Sequence, residues 1–141
     1  MSGDRFFLDT NVFVYAADQG YPEKARRAQD LIAEGTESRR GVVSYQVFQE
    51  LVNVTLRQFA RPIEPADLHR YLETVFGSLT MVHSSMPLYN EALRVLERYR
   101  LSWYDSLIVA AALEADCALL YSEDFQDGQR FGSMRVTNPF Q

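Results

Sequence analysis

The sequence is short of the residues on which several classes of protein depend. Cys117 is its only cysteine, so it can form neither an internal disulfide nor a cysteine-based zinc site. The only histidines, His69 and His83, have no partner at metal-ligand spacing. The longest uncharged apolar run, residues 107–113, is far below the ~20 residues that a membrane-spanning helix needs. We therefore expect no zinc centre and no membrane association.

Other features are absent along the whole chain. There is no internal repeat, no low-complexity tract and no glycine-rich phosphate loop. The first residues contain no basic stretch leading into an apolar run, so we expect no signal peptide and a cytoplasmic location. The length of 141 residues fits one domain spanning residues 1–141, and a 47% hydrophobic content is enough to build its core.

The charge balance is mildly acidic. The net charge of −5 alone argues against a nucleic-acid partner, because such binding usually depends on basic residues that neutralise phosphates. Lys24 is the only lysine, and the other basic residues are arginines. A cluster of carboxylates that binds divalent cations would account for most of the excess negative charge and would make the site positive. Charge therefore leaves nucleic acid open as a partner.

Short apolar segments alternate with amphipathic ones along the chain, which predicts strands separated by helices. Such alternation is typical of a three-layer α/β/α sandwich with a central, mainly parallel sheet. The predicted strands are 5–8, 41–43, 80–82, 117–121 and 134–137. The predicted helices are 22–34, 44–59, 65–76, 87–98 and 102–115. The predicted loops are 35–41, 61–65, 84–87 and 126–133.

Acidic residues stand where these predicted elements end or begin. Asp9 follows the first strand, Asp124 lies just past strand 117–121, and Asp105 is in the first turn of a helix. Parallel sheets of this kind bind their ligands at the carboxyl ends of the strands, so these three acids are predicted to share one end of the sheet. Glu50 lies in the second turn of the helix that follows strand 41–43.

Grouped carboxylates raise each other's pKa unless cations compensate their charge. Ligands that are all oxygen suit Mg²⁺ or Mn²⁺. Two such ions ~4 Å apart stabilise the attacking and leaving oxygens of an in-line displacement at phosphorus. The pattern therefore predicts metal-dependent phosphodiester cleavage.

Each acid also has a simpler explanation. Asp9 and Asp105 can cap helices, Glu50 can be a surface residue, and Asp124 can belong to a turn. Asp127 competes with Asp124 for the fourth acidic position. All the simple explanations together require four coincidences at one end of one sheet, which favours the functional interpretation.

Four segments of the sequence resemble, in order and spacing, the signature blocks of PIN domains: 7–12 (FLDTNV), 44–50 (SYQVFQE), 101–108 (LSWYDSLI) and 120–126 (LYSEDFQ). The resemblance spans nearly the whole chain. It is greatest to the VapC-type toxins of bacterial toxin–antitoxin pairs. It implies a Mg²⁺- or Mn²⁺-dependent endoribonuclease that cleaves RNA, forms homodimers and is inhibited by a small antitoxin protein.

The resemblance also implies roles for individual residues. Asp9 and Asp105 would be the principal metal ligands, Glu50 would complete the site and orient or activate the attacking water, and Asp124 would bind a second metal directly or through water. Three polar neighbours would support these acids: Thr10, Asn11 and Ser122.

Two other enzyme classes and one non-enzyme compete with this hypothesis. A receiver domain needs an acidic pair after the first strand and a lysine near the end, whereas Asp9 has no acidic neighbour and Lys24 lies near the start. The haloacid-dehalogenase pattern fails because Asn11 stands where its second aspartate belongs. A catalytically inactive PIN fold that binds protein or RNA stays open, although all four acids are present.

Aromatic residues are plentiful near the acids, and they motivate a hypothesis about the antitoxin. Some of them could line a groove for an amphipathic segment of the partner, whose arginine would reach the carboxylates. Core packing is the competing explanation for Phe48 and for Phe13. The candidates are Phe13, Tyr45, Phe48, Trp103 and Tyr104.

Overall fold

The computed structural model describes residues 4–57 and 63–141, in which strands and helices alternate. The strands are β1 (Phe6–Leu8), β2 (Gly41–Ser44), β3 (Thr80–Val82), β4 (Leu119–Tyr121), β5 (Arg130–Phe131) and β6 (Met134–Thr137). The helices are α1 (Thr10–Ala17), α2 (Pro22–Ser38), α3 (Tyr45–Arg57), α4 (Pro65–Thr74), α5 (Met86–Tyr99) and α6 (Trp103–Glu114), with a short 3-10 helix at Phe76–Ser78. None of the helices in these ranges is long and apolar enough to cross a membrane.

The strands form one sheet in the order β3-β2-β1-β4-β6-β5, and every pairing is parallel except that of β5 with β6. The chain steps from β1 to β2 to β3 in one direction and then returns to β4 on the other side of β1. Right-handed connections therefore put α1 to α4 on one face and α5 and α6 on the other. The predicted mainly parallel α/β/α sandwich is confirmed.

The centre of the sheet is fully buried, as expected for strands covered on both faces. Every residue of β1 and β2 is buried, and α6 is buried continuously from Ser106 to Ala112. The small side chains of Ala110, Ala111 and Ala112 allow α6 to lie close to the sheet.

The predicted loop at residues 35–41 is wrong over its first half, because α2 continues to Ser38. Gly35 lies on the buried face of α2 against Gly41, where a Cβ added to Gly41 would come within 2.7 Å of the Gly35 Cα. This close packing outweighs the ~1 kcal/mol that a glycine costs inside a helix. The helix ends where Arg39 adopts a left-handed conformation with φ 60°.

The predicted loop at residues 126–133 is also wrong in part. Arg130 and Phe131 form β5, which pairs with β6 through a tight reversal at Gly132, whose φ is 62°. Phe131 is buried there, so a single apolar side chain is what ties this short strand to the core. Residues 58–59 of the predicted helix 44–59, and 61–62 of the predicted loop 61–65, lie outside the described residues.

Candidate active site

The candidate site lies at the carboxyl ends of β1 and β4, two adjacent strands between which the direction of chain progression reverses. Open α/β sheets bind ligands at such a point. Asp9 follows β1, and its backbone N–H donates to the Tyr121 carbonyl at 3.1 Å. Ser122 follows β4 and donates its hydroxyl to Oδ2 of Asp9 at 2.7 Å. The sheet register therefore brings two ends of the sequence into direct contact.

Asp9 is buried, with 3% of its surface exposed, and it caps α1. Its Oδ1 accepts the Thr10 N–H at 2.7 Å, so Asp9 does cap the helix, as the simple explanation proposed. Burial nevertheless raises its pKa to about 7, the hydrogen bonds from Ser122 and Thr10 lower it, and the charges of Asp124 and Glu50 raise it. Helix capping explains the position of Asp9, but it does not explain why two other acidic residues lie near it.

Glu50 is half-buried on α3, and its charge raises the pKa of Asp9. Its Oε1 accepts the hydroxyl of Thr10 at 2.8 Å, a contact between residues 40 positions apart in the sequence. Thr10 therefore holds Asp9 through its backbone and Glu50 through its side chain. This arrangement argues against the interpretation of Glu50 as an ordinary surface glutamate.

Asp105 and Asp124 are the other two acids of the candidate site, and the charge of Asp105 acts on Asp124. Ser102, and not Asp105, caps α6, and its hydroxyl accepts the Asp105 N–H at 3.1 Å. Asp124 is exposed, and its Oδ2 accepts the Asn11 side chain at 3.4 Å. Desolvation and the charges of Asp105 and Glu123 raise the pKa of Asp124, while the hydrogen bond from Asn11 lowers it. Asp124 therefore lies near enough to Asp105 for the charge of Asp105 to act on it.

Asp127, the alternative candidate for the fourth acid, has a structural role elsewhere. Its Oδ1 accepts the Asn138 N–H at 2.8 Å and so anchors the segment after β6. This contact favours Asp124 as the fourth acid.

Sequence reasoning missed one contact beside the acids. The Tyr15 hydroxyl donates to Oε1 of Glu123 at 3.0 Å. A signal was available, because Asn11 and Tyr15 stand one helical turn apart and Glu123 is adjacent to Asp124. The contact between Tyr15 and Glu123 could be predicted from this signal only if the position of α1 along the end of β4 were known.

The acids carry a negative charge that the described residues do not neutralise. Within 4–57 and 63–141, no arginine or lysine forms an ion pair with Asp9, Glu50, Asp105 or Asp124. Oδ1 of Asn11 is buried beside them without a hydrogen-bond partner. Oxygen donors with unbalanced negative charge suit a hard divalent cation.

The positions of these side chains set a limit on that fit. Within the part of the chain that the structure describes, no three Asp, Glu, His or Cys side chains lie close enough together to hold an ion as they stand. The donor types and charges fit a divalent cation, whereas the side chains do not form a closed coordination shell.

Comparison with known proteins identifies the fold family. The sequence model of the PIN domain family matches residues 6–127. The chain belongs to the PIN domain family. Among curated protein sequences, none gives a significant match.

Solved structures of PIN proteins share this architecture. A toxin–antitoxin complex from Klebsiella pneumoniae contains a chain that matches with a TM-score of 0.65 and 14% identity, over 94% of this chain and 96% of that one. VapC20 from Mycobacterium tuberculosis, a toxin that cleaves the sarcin–ricin loop, matches with a TM-score of 0.61 and 19% identity, over 84% and 89%. DNA-bound VapBC from Salmonella typhimurium matches with a TM-score of 0.65 and 16% identity, over 97% and 99%. At these identities the likeness shows the PIN fold.

Proposed function

We propose that this PIN protein is a metal-dependent endoribonuclease that hydrolyses RNA phosphodiester bonds and acts in the cytoplasm as the toxin of a toxin–antitoxin pair. One observation carries the proposal: Asp9 is buried at the end of β1, its pKa is raised to about 7, and the charges of Asp124 and Glu50 act on it. Asp9 has no cationic partner within residues 4–57 and 63–141, which fits a group that binds its cation from solution. The toxins among the structures of the same fold support the choice of substrate class.

Four side chains would hold Mg²⁺ or Mn²⁺: Asp9, Glu50, Asp105 and Asp124. When bound, the ion supplies a Lewis acid for the phosphate oxygens and lowers the pKa of water. Asp9 offers a carboxylate whose two oxygens are already oriented by Ser122 and Thr10. Asp105 is half-buried and Asp124 is exposed, so both have room to turn toward Asp9.

Glu50 is the group best placed to handle a proton. Thr10 binds its Oε1 and fixes the orientation of the carboxylate. Its Oε2 has no hydrogen-bond partner among the described residues, and it is therefore the oxygen that would accept a proton from the attacking water. Asn11 holds Asp124 at the rim of the site, where the RNA backbone would enter.

Cleavage of a structured RNA by the purified chain, with EDTA or with Mn²⁺ supplied, tests the proposal. We expect cleavage only with metal, and a loss of at least ~100-fold in Asp9→Asn, since carboxylate ligands are required for the ion. Asp30→Asn, an exposed aspartate on α2, is the matched control and should cleave like the wild type. Equal activity of wild type and Asp9→Asn would contradict the proposal. Equal inactivity, with Mn²⁺ present and any antitoxin removed, would instead support the inactive binding module.

We propose a small antitoxin as the protein partner. An apolar cavity of about 460 Å³ opens between helices α1, α2, α3 and α4, and its lining includes Phe13, Ile32, Leu51, Leu68 and Tyr71. An amphipathic segment could place its apolar side chains there. Of the aromatic residues that suggested a groove, Phe13 is buried in the core and Phe48 is partly buried against it, each in contact with Phe76, as the competing explanation held.

We also propose that the protein is a homodimer. Met86, Tyr89 and Leu93 lie on one exposed face of α5, and Tyr104 adds an exposed ring next to Asp105. Their exposed fractions are 73%, 37%, 53% and 65%, which is high for large apolar side chains. A second copy placing the same face against this one would bury these side chains on both subunits.

A further inference from the structure

Helix α1 contacts three consecutive residues that follow β4. Asp9, at its start, binds Ser122; Asn11 binds Asp124; and Tyr15, one turn further along, binds Glu123. The first two contacts involve residues of the proposed metal site. The third involves a tyrosine and a glutamate that the proposed mechanism does not use. Its role is therefore unexplained.

The ring of Tyr15 is held on several sides. It packs edge to face against Tyr21, with ring centres 5.8 Å apart, and against Phe140, at 4.6 Å. The ammonium group of Lys24 lies 4.8 Å from the centre of the same ring. A half-buried ring that is fixed in this way can direct its hydroxyl at one acceptor, here Oε1 of Glu123.

Asp124 is the most exposed of the four acids. It is exposed, and within the described ranges its carboxylate has a single hydrogen bond, the 3.4 Å contact from Asn11. Its backbone N–H is held by Ser122 at 3.0 Å. Both neighbours of Asp124 are also held: Phe125 is buried with its ring 5.9 Å from that of Phe131, and Glu123 accepts the hydroxyl of Tyr15.

We infer that Tyr15 is a positioning residue for the proposed metal site: through Glu123 it fixes the segment that carries Asp124. The inference depends on the proposed function. Its physical basis is that a metal ligand held in place before binding loses less conformational freedom when the ion binds.

Tyr15→Phe removes the hydroxyl and leaves the ring packing intact. Tyr21→Phe makes the same change on the neighbouring ring, whose hydroxyl forms no hydrogen bond in the described structure, and is the matched control. Two measurements are needed on each protein: hydrogen exchange of the Asp124 amide without metal, and Mn²⁺ affinity from the electron paramagnetic resonance of free Mn²⁺. The exchange rate reports how firmly the segment around Asp124 is held, and the Mn²⁺ affinity reports how that affects binding of the ion.

We expect Tyr15→Phe to accelerate exchange of the Asp124 amide and to weaken Mn²⁺ binding by about 10-fold, the lower range for loss of a group that orients a ligand. Tyr21→Phe should change neither. In a Glu123→Ala background, Tyr15→Phe should have no further effect, because the tyrosine acts through that glutamate. A role limited to stability would lower the melting temperature and leave the Mn²⁺ affinity unchanged.

Each other outcome overturns the inference in a distinguishable way. Unchanged exchange and unchanged Mn²⁺ affinity in Tyr15→Phe would show that Tyr15 does not position Asp124. Faster exchange with unchanged affinity would show that its role is structural only. If the wild type itself binds no Mn²⁺, the proposed function fails together with any role of Tyr15 in it, whatever the exchange rates are. If Tyr15→Phe weakens Mn²⁺ binding as much in the Glu123→Ala background as in the wild type, Tyr15 does not act through Glu123.

Discussion

Ser122 donates its hydroxyl to the carboxylate of Asp9 at 2.7 Å, joining residues that are 113 positions apart and follow adjacent strands of the sheet. The same oxygen accepts the Asp124 N–H at 3.0 Å. One serine therefore orients the most buried acid of the site and the backbone of the most exposed one.

Ser122→Ala should impair the site without unfolding the protein. Asp9 loses a hydrogen bond that lowers its pKa, so its charged form, the form that binds metal, becomes less favourable. We expect Mn²⁺ affinity to fall by about 10-fold or more and the unfolding free energy to fall by about 1–3 kcal/mol. Isothermal titration and urea denaturation measure these effects. Ser84→Ala, at an exposed serine, is the control, and a Ser122→Ala protein with wild-type Mn²⁺ affinity would contradict the argument.

The stability of the metal-free protein should depend on pH through Asp9. Its pKa is about 7 in the folded chain and 3.8 in the reference state, so the folded state holds the proton more tightly. The resulting stabilisation is complete below pH 3.8 and is lost as the pH rises to about 7, at up to about 1.4 kcal/mol per pH unit. Asp9→Asn lacks this titration. The difference in unfolding free energy between variant and wild type, measured in urea with EDTA, should therefore grow in favour of Asp9→Asn from pH 4 to 7. A difference that is constant with pH would refute this assignment.

Asp124 and Asp127 give a paired test of the fourth acid. Asp124→Asn removes a charge beside Asp9 and Asp105, so we expect weaker Mn²⁺ binding and slower RNA cleavage. Asp127→Asn keeps the Oδ1 that accepts the Asn138 N–H and should leave both unchanged. Parallel measurements of cleavage rate on one RNA distinguish the two. The reverse ranking would show that Asp127 is the fourth acid.

The sequence predicted the positions of five of the six strands that the structure describes, all except β5. The strands at 80–82 and 134–137 have the predicted bounds, and Asp9 and Asp124 stand beyond the ends of β1 and β4 as expected. Periodicity and strand ends are local properties, so they can be read without coordinates. Tertiary contacts cannot be read in this way: the packing of Gly35 against Gly41, which accounts for a glycine inside α2, is not visible in any local pattern.

The sequence allowed us to predict which residues form the candidate site, but only some of the contacts between them. Strand order places Asp9 next to Ser122, and helix capping places Asp105. The contact of Tyr15 with Glu123 depends on how α1 lies against the end of β4, which no local pattern encodes. The distances between the acid side chains depend on rotamers and on the cation itself.

The exposed face of α5 should govern the oligomeric state. Leu93→Asp puts a charge into the proposed subunit interface, where its desolvation is costly. In light scattering coupled to size exclusion, we expect Leu93→Asp to be a monomer and the wild type to be a dimer. Leu56→Asp, at a leucine on α3 that is 47% exposed, should leave the dimer intact. A monomeric wild type, or a dimeric Leu93→Asp, would contradict this proposal and leave the nuclease proposal unaffected.

The central claim is that acids from four separate segments bind a divalent cation together. A crystal soaked in Mn²⁺ tests it most directly, through the anomalous scattering of the ion. We expect a peak in contact with Asp9 and Asp105, with Glu50 or Asp124 turned toward it. A crystal without such a peak at saturating Mn²⁺, or with the ion bound elsewhere, would contradict the claim.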